Sequence, residues 1–229
     1  MSLSHRALPL RTAALSLLLA VGLPVHSRAV SPVPPPAADA DLAPAHAKKQ
    51  TAIFSGGCFW GTQAVFERVR GVLDTEVGYA GGDYDTATYE KVLQENTGHA
   101  ESVKVVYDPA KITYGQLLRI FFAVAHDPTT LNRQGPDIGP SYRSVIWFKD
   151  DNQRRIAQAY IAQLDAAHIF PGPIVTKVEA IRGFYDAELY HQDYALHHPE
   201  NPTVQSCDRP KIDALKAEFP ELFVDYHAR

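Results

Sequence analysis

Cysteine is scarce in this chain of 229 residues, which has only Cys58 and Cys207. Two thiols can form one disulfide at most, so the sequence excludes the dense disulfide framework of small secreted domains. A structural cross-link between the two is one interpretation. Cys58 lies between glycines and directly before two aromatic residues, and this setting favours a second interpretation, a transient disulfide.

The sequence also lacks a hydrophobic run long enough to cross a bilayer as a stable helix. Its clearest apolar run, residues 13–23, follows Arg6 and Arg11 and precedes Ser27-Arg28-Ala29, which offers small residues for cleavage. This pattern predicts a secretory signal peptide over residues 1–29 and export of the protein, in a bacterium to the periplasm. An N-terminal membrane anchor is the alternative.

Basic residues are fewer than acidic ones, with 22 Lys and Arg against 26 Asp and Glu, and the formal net charge is −4. The predicted leader contains arginines and no acidic residue, so its removal makes the remainder more acidic. A surface with this charge argues against nucleic acid or an anionic membrane as a partner.

Residues 30–49 contain five of the 17 prolines, several alanines and little apolar area to bury. This composition predicts a disordered linker. Residues 50–229 remain for one folded domain, a length sufficient for a single well-filled core.

Within that domain, hydrophobic periodicity predicts alternating strands and helices and therefore one α/β structure with a mixed sheet. Strands are predicted at 50–54, 102–107, 143–148 and 174–179, and helices at 62–70, 113–125, 150–167, 187–197 and 209–219. Runs rich in Gly, Asp, Asn and Pro at 78–88 and 127–142 are expected to be loops. Loops of that length in a compact domain usually carry function.

The most informative segment is Ser55-Gly56-Gly57-Cys58-Phe59-Trp60-Gly61. It places Cys58 between a strand and a helix, where unpaired N–H groups and the helix dipole favour an anion. We therefore expect a lowered pKa and a thiolate near neutral pH. The glycines admit a reacting group, and Phe59 and Trp60 offer an apolar wall beside the sulfur.

Other candidate residues lie at strand ends and in polar loops. Glu101 enters an apolar strand, where desolvation would raise its pKa and make it an acid near neutrality, although an exposed strand-edge glutamate is the simpler interpretation. His99 is either a base for Cys58 or a turn histidine. The polar loop 132–144 and the tyrosine-rich run 184–194 could line a binding site or only form loop and core-edge structure.

Metal and nucleotide sites are not predicted. His191, His197 and His198 lack the spacing of a metal site. The glycines of Gly78-Tyr79-Ala80-Gly81-Gly82 match neither a phosphate loop nor a dinucleotide loop.

Taken in order, these segments resemble the A-type peptide-methionine sulfoxide reductases over about residues 51–220. The matching motifs are Gly57-Cys58-Phe59-Trp60-Gly61, Gly78-Tyr79-Ala80-Gly81-Gly82, Thr88-Tyr89, Thr97-Gly98-His99-Ala100-Glu101, Tyr107-Asp108-Pro109, His126-Asp127-Pro128-Thr129, Asn132-Arg133-Gln134-Gly135, Tyr142-Arg143-Ser144 and Tyr190-His191-Gln192. The resemblance implies a single α/β (α+β) domain, a two-layer sandwich of ferredoxin-like type with a mixed sheet packed with helices.

The resemblance also implies a reaction. Cys58 attacks the sulfur of the S epimer of methionine sulfoxide, free or in a protein, and becomes a sulfenic acid while Glu101 protonates the oxygen. A thioredoxin-type reductant then recycles the enzyme in protein repair, with no metal or organic cofactor, and a monomer is expected. The pocket residues implied by the resemblance are Phe59 and Trp60 for the methyl group, Tyr89 and Tyr142 for the oxygen, and Asp137 and Tyr194 as further polar positions.

Two positions depart from the family pattern. Leu93 stands where members often have a cysteine, and Cys207 lies three residues after the tail position near Val204 where a resolving cysteine is common. Cys207 as the resolving thiol is therefore a hypothesis of its own, and it requires the two cysteine Cα atoms to approach within about 7 Å.

Two other functions use the same residues. A cysteine hydrolase or acyltransferase would pair Cys58 with a histidine and would need oxyanion donors. A non-catalytic module would only bind a peptide methionine in the aromatic pocket.

Overall fold

The computed structural model describes residues 32–226. The strands are β1 (Gln50–Gly56), β2 (Val72–Ala80), β3 (Ala100–Tyr107), β4 (Arg133–Gln134), β5 (Asp137–Ile138), β6 (Ser144–Phe148), β7 (Lys177–Ala180) and β8 (Phe184–Asp186). The α-helices are α1 (Phe59–Phe66), α2 (Tyr89–Val92), α3 (Tyr114–Ile120), α4 (Asp151–Ala166), α5 (Tyr194–His197) and α6 (Arg209–Glu218). Short 3-10 helices span Tyr84–Thr86, Pro140–Tyr142 and Leu189–His191, and π-helical turns span Phe121–Ala125 and Val204–Asp208.

Six strands form one mixed sheet in the order β7-β6-β1-β3-β2-β8, and β4 and β5 form a separate hairpin. β6 and β7 pair in parallel, whereas the other neighbours in the large sheet are antiparallel. The strand β1 lies between β3 and β6, so the chain leaves the centre of the sheet at Gly56. A mixed sheet packed with helices confirms the predicted fold class.

Aromatic packing fixes helix α1 to this central strand. Phe54 of β1 stacks on Phe66 of α1 with 5.2 Å between ring centroids, and on Phe121 with 4.9 Å. All three side chains are fully buried. Because interiors of this kind are close-packed, the turn between β1 and α1 has little freedom to move.

Local sequence signals explain where the longer helices begin. Thr113 caps α3 in a capping box with Gln116, and the Asp150 side chain accepts a hydrogen bond from the Gln153 N–H at the start of α4. Both starts agree with the predicted helices. The predicted helix 113–125 is α-helical only to Ile120, after which it continues as the π-helical turn.

The largest differences from the predicted elements concern residues 72–80 and the predicted helix 187–197. Residues 72–80 form the full-length strand β2, which the periodicity analysis did not identify, and residues 78–80 of the expected loop belong to it. The predicted helix 187–197 is broken into a 3-10 turn and α5. The break falls at Asp193, whose φ of +53° is incompatible with a continuous helix and whose N–H donates to Gln63 Oε1.

Residues 32–49 lie against the domain, which differs from the disordered linker that their composition predicts. The Arg119 side chain donates to the Val33 carbonyl (2.8 Å), and the Tyr160 hydroxyl donates to that of Pro34 (2.6 Å). Asp39 accepts hydrogen bonds from Gly115 N and the Thr113 hydroxyl at the start of α3. An extended proline-rich segment has free carbonyls, and donors on α3 and α4 satisfy them.

The predicted signal peptide, residues 1–29, lies outside the described residues. Within residues 32–226, none of the helices combines the length and apolar character needed to cross a membrane.

Candidate active site

Cys58 lies at the turn where β1 ends and α1 begins. Gly57, directly before it, has a φ of +85°, and a side chain at that position would overlap Gln134. Glycine is therefore required for the turn to form against the 133–138 hairpin. Cys58 occupies the N-cap position of α1 and is half-buried.

The surroundings of Cys58 raise the pKa of its thiol instead of lowering it. Burial is the largest cause, and the carboxyls of Glu101 and Asp208 add to it. The Trp60 N–H at the helix start and the Lys211 ammonium lower the pKa by less. The expectation of a thiolate near neutral pH is thus wrong for this structure, because desolvation and two carboxyls outweigh one helix end.

Glu101 is the second residue of β3 and is 3% exposed. Its Oε2 accepts a hydrogen bond from the Phe59 N–H in the first turn of α1 (2.9 Å). Burial raises the pKa of Glu101 to about 8, against the lowering effect of that hydrogen bond. The predicted direction is confirmed, and at neutral pH Glu101 is mostly a neutral carboxylic acid beside the active-site turn.

Two phenols and one further carboxyl lie within electrostatic reach of Glu101. Burial raises the pKa of both Tyr89 and Tyr142, and negative charge on Glu101 or Cys58 raises each of them further. Asp137 raises the pKa of Glu101, so it also lies within electrostatic reach. The two tyrosines therefore stay protonated and can donate hydrogen bonds beside the thiol and the acid.

Trp60 provides the apolar wall of the site. Its indole is half-buried and stacks on Tyr194 with 3.7 Å between ring centroids and 10° between planes. Phe59 differs from the expectation that it lines the pocket, because it is 1% exposed and packs between Tyr79 and His191. Phe59 therefore supports the site from behind and offers a ligand almost no surface.

Three further residues, for which the sequence predicts no such role, bond the Trp60 indole or the segments that carry the two tyrosines. His191 Nδ1 accepts from the Trp60 indole N–H at 3.1 Å. Glu188 accepts from the Tyr89 N–H at 2.9 Å, and Glu95 accepts from the Ser141 hydroxyl at 2.6 Å. No local sequence pattern signals such single contacts between segments distant along the chain.

Cys207 lies in the π-helical turn before α6, and in this structure both cysteines are free thiols. Its sulfur lies 3.6 Å from the Ser206 hydroxyl, and its side chain is half-buried. The turn is fixed to α1 by Val204, which is buried against Ala64.

His99 and His126 form their hydrogen bonds to loops and side chains away from Cys58. His99 accepts from the Gly82 N–H at Nδ1 and bonds the Asp83 carbonyl at Nε2, as expected of a turn histidine. His126 bonds the Phe121 carbonyl and the Ser144 hydroxyl. Neither is arranged as the partner that a cysteine hydrolase requires. Among residues 32–226, no cluster of three or more His, Cys, Asp or Glu side chains could hold a metal ion.

A half-buried thiol near a buried carboxyl, two phenols and an indole, held by a mixed α/β sheet, is an arrangement typical of thiol enzymes. Comparison with known proteins gives the family. Residues 50–222 match the family model described as peptide methionine sulfoxide reductase. The chain therefore belongs to the peptide methionine sulfoxide reductase family and is an oxidoreductase of the A type.

Relatives and solved structures agree with this assignment. The chain is 54% identical over 174 residues to peptide methionine sulfoxide reductase MsrA 2 of Mesorhizobium japonicum, covering 76% of this chain and 89% of the relative. It is 45% identical over 174 residues to MsrA of Thermus thermophilus, covering 76% and 97%. The crystal structure of reduced Mxr1 from Saccharomyces cerevisiae matches with a TM-score of 0.62 and 34% identity, covering 68% of this chain and 89% of that chain. Methionine sulfoxide reductase A of Corynebacterium diphtheriae matches with a TM-score of 0.58 and 35% identity, covering 69% and 78%.

Proposed function

We propose that this reductase acts on the S epimer of methionine sulfoxide, free and in proteins, through a sulfenic acid on Cys58. The observation that carries the proposal is the hydrogen bond from the Phe59 N–H to Glu101, which holds a carboxyl with a pKa of about 8 against the turn that bears the thiol. A sulfoxide oxygen is a very poor leaving group until it is protonated, and an acid of this strength can protonate it at neutral pH.

The first step then balances within the site. Cys58 sulfur forms a bond to the sulfoxide sulfur as Glu101 gives its proton to the oxygen, and the thiol proton passes to the Glu101 carboxylate. The hydroxyl then moves from the substrate sulfur to Cys58 sulfur, and both the S–O bond of the substrate and the newly formed bond between the two sulfurs break. Methionine is reduced and leaves, and Cys58 is oxidised to the sulfenic acid.

The raised pKa of Cys58 is consistent with this order of events. The charge of Glu101 contributes to that raised pKa, and at neutral pH Glu101 is mostly uncharged. A bound sulfoxide with its partial positive sulfur favours the thiolate further. The reactive anion therefore forms when substrate is present, which limits unwanted oxidation of the resting enzyme.

Substrate placement follows from the polarity of the site. The Tyr89 and Tyr142 hydroxyls are donors for the sulfoxide oxygen, with Asp137 beside them, and the Trp60–Tyr194 stack faces the methyl group. When the oxygen of a chiral sulfur must face the phenols and its methyl group must face the indole, only one configuration at sulfur fits the site. This supports selection of one epimer.

The second half of the cycle restores the thiol. The Cys207 thiol condenses with the sulfenic acid to give a disulfide and water, and a thioredoxin-type dithiol reduces the disulfide. We further propose that the protein is exported to a bacterial periplasm by its leader, works there as a monomer and repairs oxidised proteins.

One turnover without reductant tests the proposal. The wild-type enzyme is mixed with N-acetyl-methionine (S)-sulfoxide and its intact mass is measured. We expect loss of two hydrogen atoms for wild type, gain of one oxygen atom for Cys207→Ser, and no change and no methionine for Cys58→Ser with an unchanged circular dichroism spectrum. Turnover by Cys58→Ser would contradict the mechanism, an acyl adduct would indicate a hydrolase, and an unoxidised protein would indicate a binding module.

A further inference from the structure

Asp208 is a buried carboxyl that the first half-reaction does not use. It ends the π-helical turn Val204–Asp208, immediately after Cys207, and it is 1% exposed. Its Oδ1 lies against Gly61 in the first turn of α1, and a methyl group on Gly61 would overlap this oxygen. The absence of a side chain at position 61 is what lets the carboxyl reach the turn that follows Cys58.

The second oxygen of this carboxyl has no partner. Asp208 Oδ2 is buried and makes no hydrogen bond within residues 32–226. Leaving a buried carboxylate oxygen without a hydrogen bond costs free energy of folding, so an unpaired atom such as Asp208 Oδ2 needs a functional explanation. Lys211 is the nearby cation, with its Nζ 3.0 Å from the point where a Cβ of residue 61 would lie, yet it forms no ion pair with Asp208 within 4.0 Å.

Asp208 is adjacent to Cys207 in sequence and lies within electrostatic reach of Cys58, whose pKa it raises. Glu101 approaches the same turn of α1 from the sheet, through the Phe59 N–H. The two carboxyls therefore reach the first turn of α1 from two different elements: Glu101 from β3 and Asp208 from the π-helical turn Val204–Asp208.

We propose that Asp208 carries the proton of the resolving step, taking it from the Cys207 thiol and delivering it to the hydroxide that leaves Cys58. The Cys207 thiolate so formed attacks Cys58 sulfur, the S–O bond of the sulfenic acid breaks, and the transferred proton completes a water molecule. One disulfide and one water form from one thiol and one sulfenic acid, and Asp208 ends as it began. The inference rests on the proposed role of Cys207.

The acidity of Asp208 suits this exchange. Burial raises its pKa to about 6, with Lys211 lowering it and Asp137 raising it. At neutral pH the group is mostly a carboxylate that can accept a proton, and once protonated it is a competent acid. The charged or titratable groups facing it are Cys58 at α1, Lys211 on α6 and Asp137 on β5.

Asp208→Asn should slow the second half-reaction without slowing the first. The variant keeps the shape of the side chain and removes a negative charge that raises the pKa of Cys58, so sulfenic acid formation should be as fast as in wild type or faster. Disulfide formation loses its proton carrier and should slow by about 10²-fold. Asp213→Asn, at an exposed position on α6 where Asp213 pairs with Arg209, is the matched control and should change neither rate.

The experiment is rapid quenching of one turnover with N-acetyl-methionine (S)-sulfoxide, with released methionine reporting the first step and loss of two free thiols reporting the second. In wild type the second step should slow as pH falls through about 6, and Asp208→Asn should lack that acidic limb. Equal slowing of both steps would show a structural role and overturn the inference, as would disulfide formation at the wild-type rate. If Cys207 is not the resolving thiol, wild type itself will stop at the sulfenic acid, as Cys207→Ser does. This outcome is therefore distinguishable from a failure of the role proposed for Asp208.

Discussion

Two carboxyls approach the first turn of α1 from opposite parts of the fold, and their surroundings differ. Glu101 comes from the sheet and is hydrogen-bonded to the Phe59 N–H, whereas Asp208 comes from the tail and leaves one oxygen unpaired. Burial raises both pKa values, to about 8 for Glu101 and about 6 for Asp208. At neutral pH Glu101 is therefore mostly protonated and Asp208 mostly ionised, and this difference underlies the separate roles proposed for them.

Of the variants that test the difference between these two carboxyls, Glu101→Gln should change the rate of the reaction most. A glutamine keeps the side-chain shape but cannot protonate the sulfoxide oxygen, so the first step should slow by about 10² to 10⁴-fold. In wild type the rate should fall as pH rises through about 8, because the acid form of Glu101 is lost, and the variant should lack that fall. Quenched-flow measurement of methionine release across pH gives both results.

Glu95→Gln is the control for this variant, because Glu95 also lies within electrostatic reach of Glu101 but bonds the Ser141 hydroxyl on another loop. It should retain the alkaline fall, at a pH somewhat lower than in wild type because the charge of Glu95 raises the pKa of Glu101. A pH-independent first step in wild type would remove Glu101 from its role as the acid.

A smaller effect on activity is expected from a change in the aromatic wall, where Tyr194 of α5 supports the Trp60 indole. Tyr194→Ala removes the ring stacked on Trp60, an interaction worth about 1 kcal/mol. The indole then loses one of its two supports while His191 still bonds it, so kcat/KM should fall by roughly 5-fold, mainly through KM. Steady-state kinetics checks this.

Tyr194→Phe is the matched control, since it keeps the ring and loses only the hydroxyl that accepts from Asn201 at 3.3 Å. An equal loss in both variants would assign the effect to the hydroxyl and refute the stacking argument.

The smallest effect on activity is expected from a change in residues 32–49, which contact α3 and α4 and hold neither Glu101 nor Asp208. Asp39→Ala removes the carboxyl that accepts from Gly115 N at the start of α3. Loss of such a cap costs about 1 kcal/mol of unfolding free energy and should leave kcat/KM unchanged. Urea unfolding of wild type and variant measures the difference.

Asp41→Ala, two residues further on in the same segment, is the comparison for that experiment. Equal unfolding midpoints for the Asp39→Ala variant and wild type would mean that residues 32–49 behave as the linker their composition predicts.

The sequence was most informative where structure is local. The glycines around Cys58, the apolar strand after Glu101 and the capping residues Thr113 and Asp150 each indicate their own conformation. Strand β2 was missed because Asp74, Thr75 and Glu76 interrupt its apolar pattern, and its pairing with β3 is what stabilises it. Tertiary pairing of this kind overrides a weak local signal.

The electrostatics of Cys58 could not be predicted for the same reason. A helix start favours a thiolate, and this much is visible in residues 55–61. The opposing causes, which raise the pKa, are burial and the carboxyls of Glu101 and Asp208, and these carboxyls lie 43 and 150 residues further along the chain. Only folding brings them to the sulfur, as it brings His191 to Trp60.

The most direct test of the account is the protonation state of Glu101 in the resting enzyme. An infrared difference spectrum between wild type and Glu101→Gln at pH 7 should show the carbonyl stretch of a protonated carboxylic acid, and that band should fade as pH rises through about 8. A difference spectrum that shows only an ionised carboxylate at pH 7 would contradict the account.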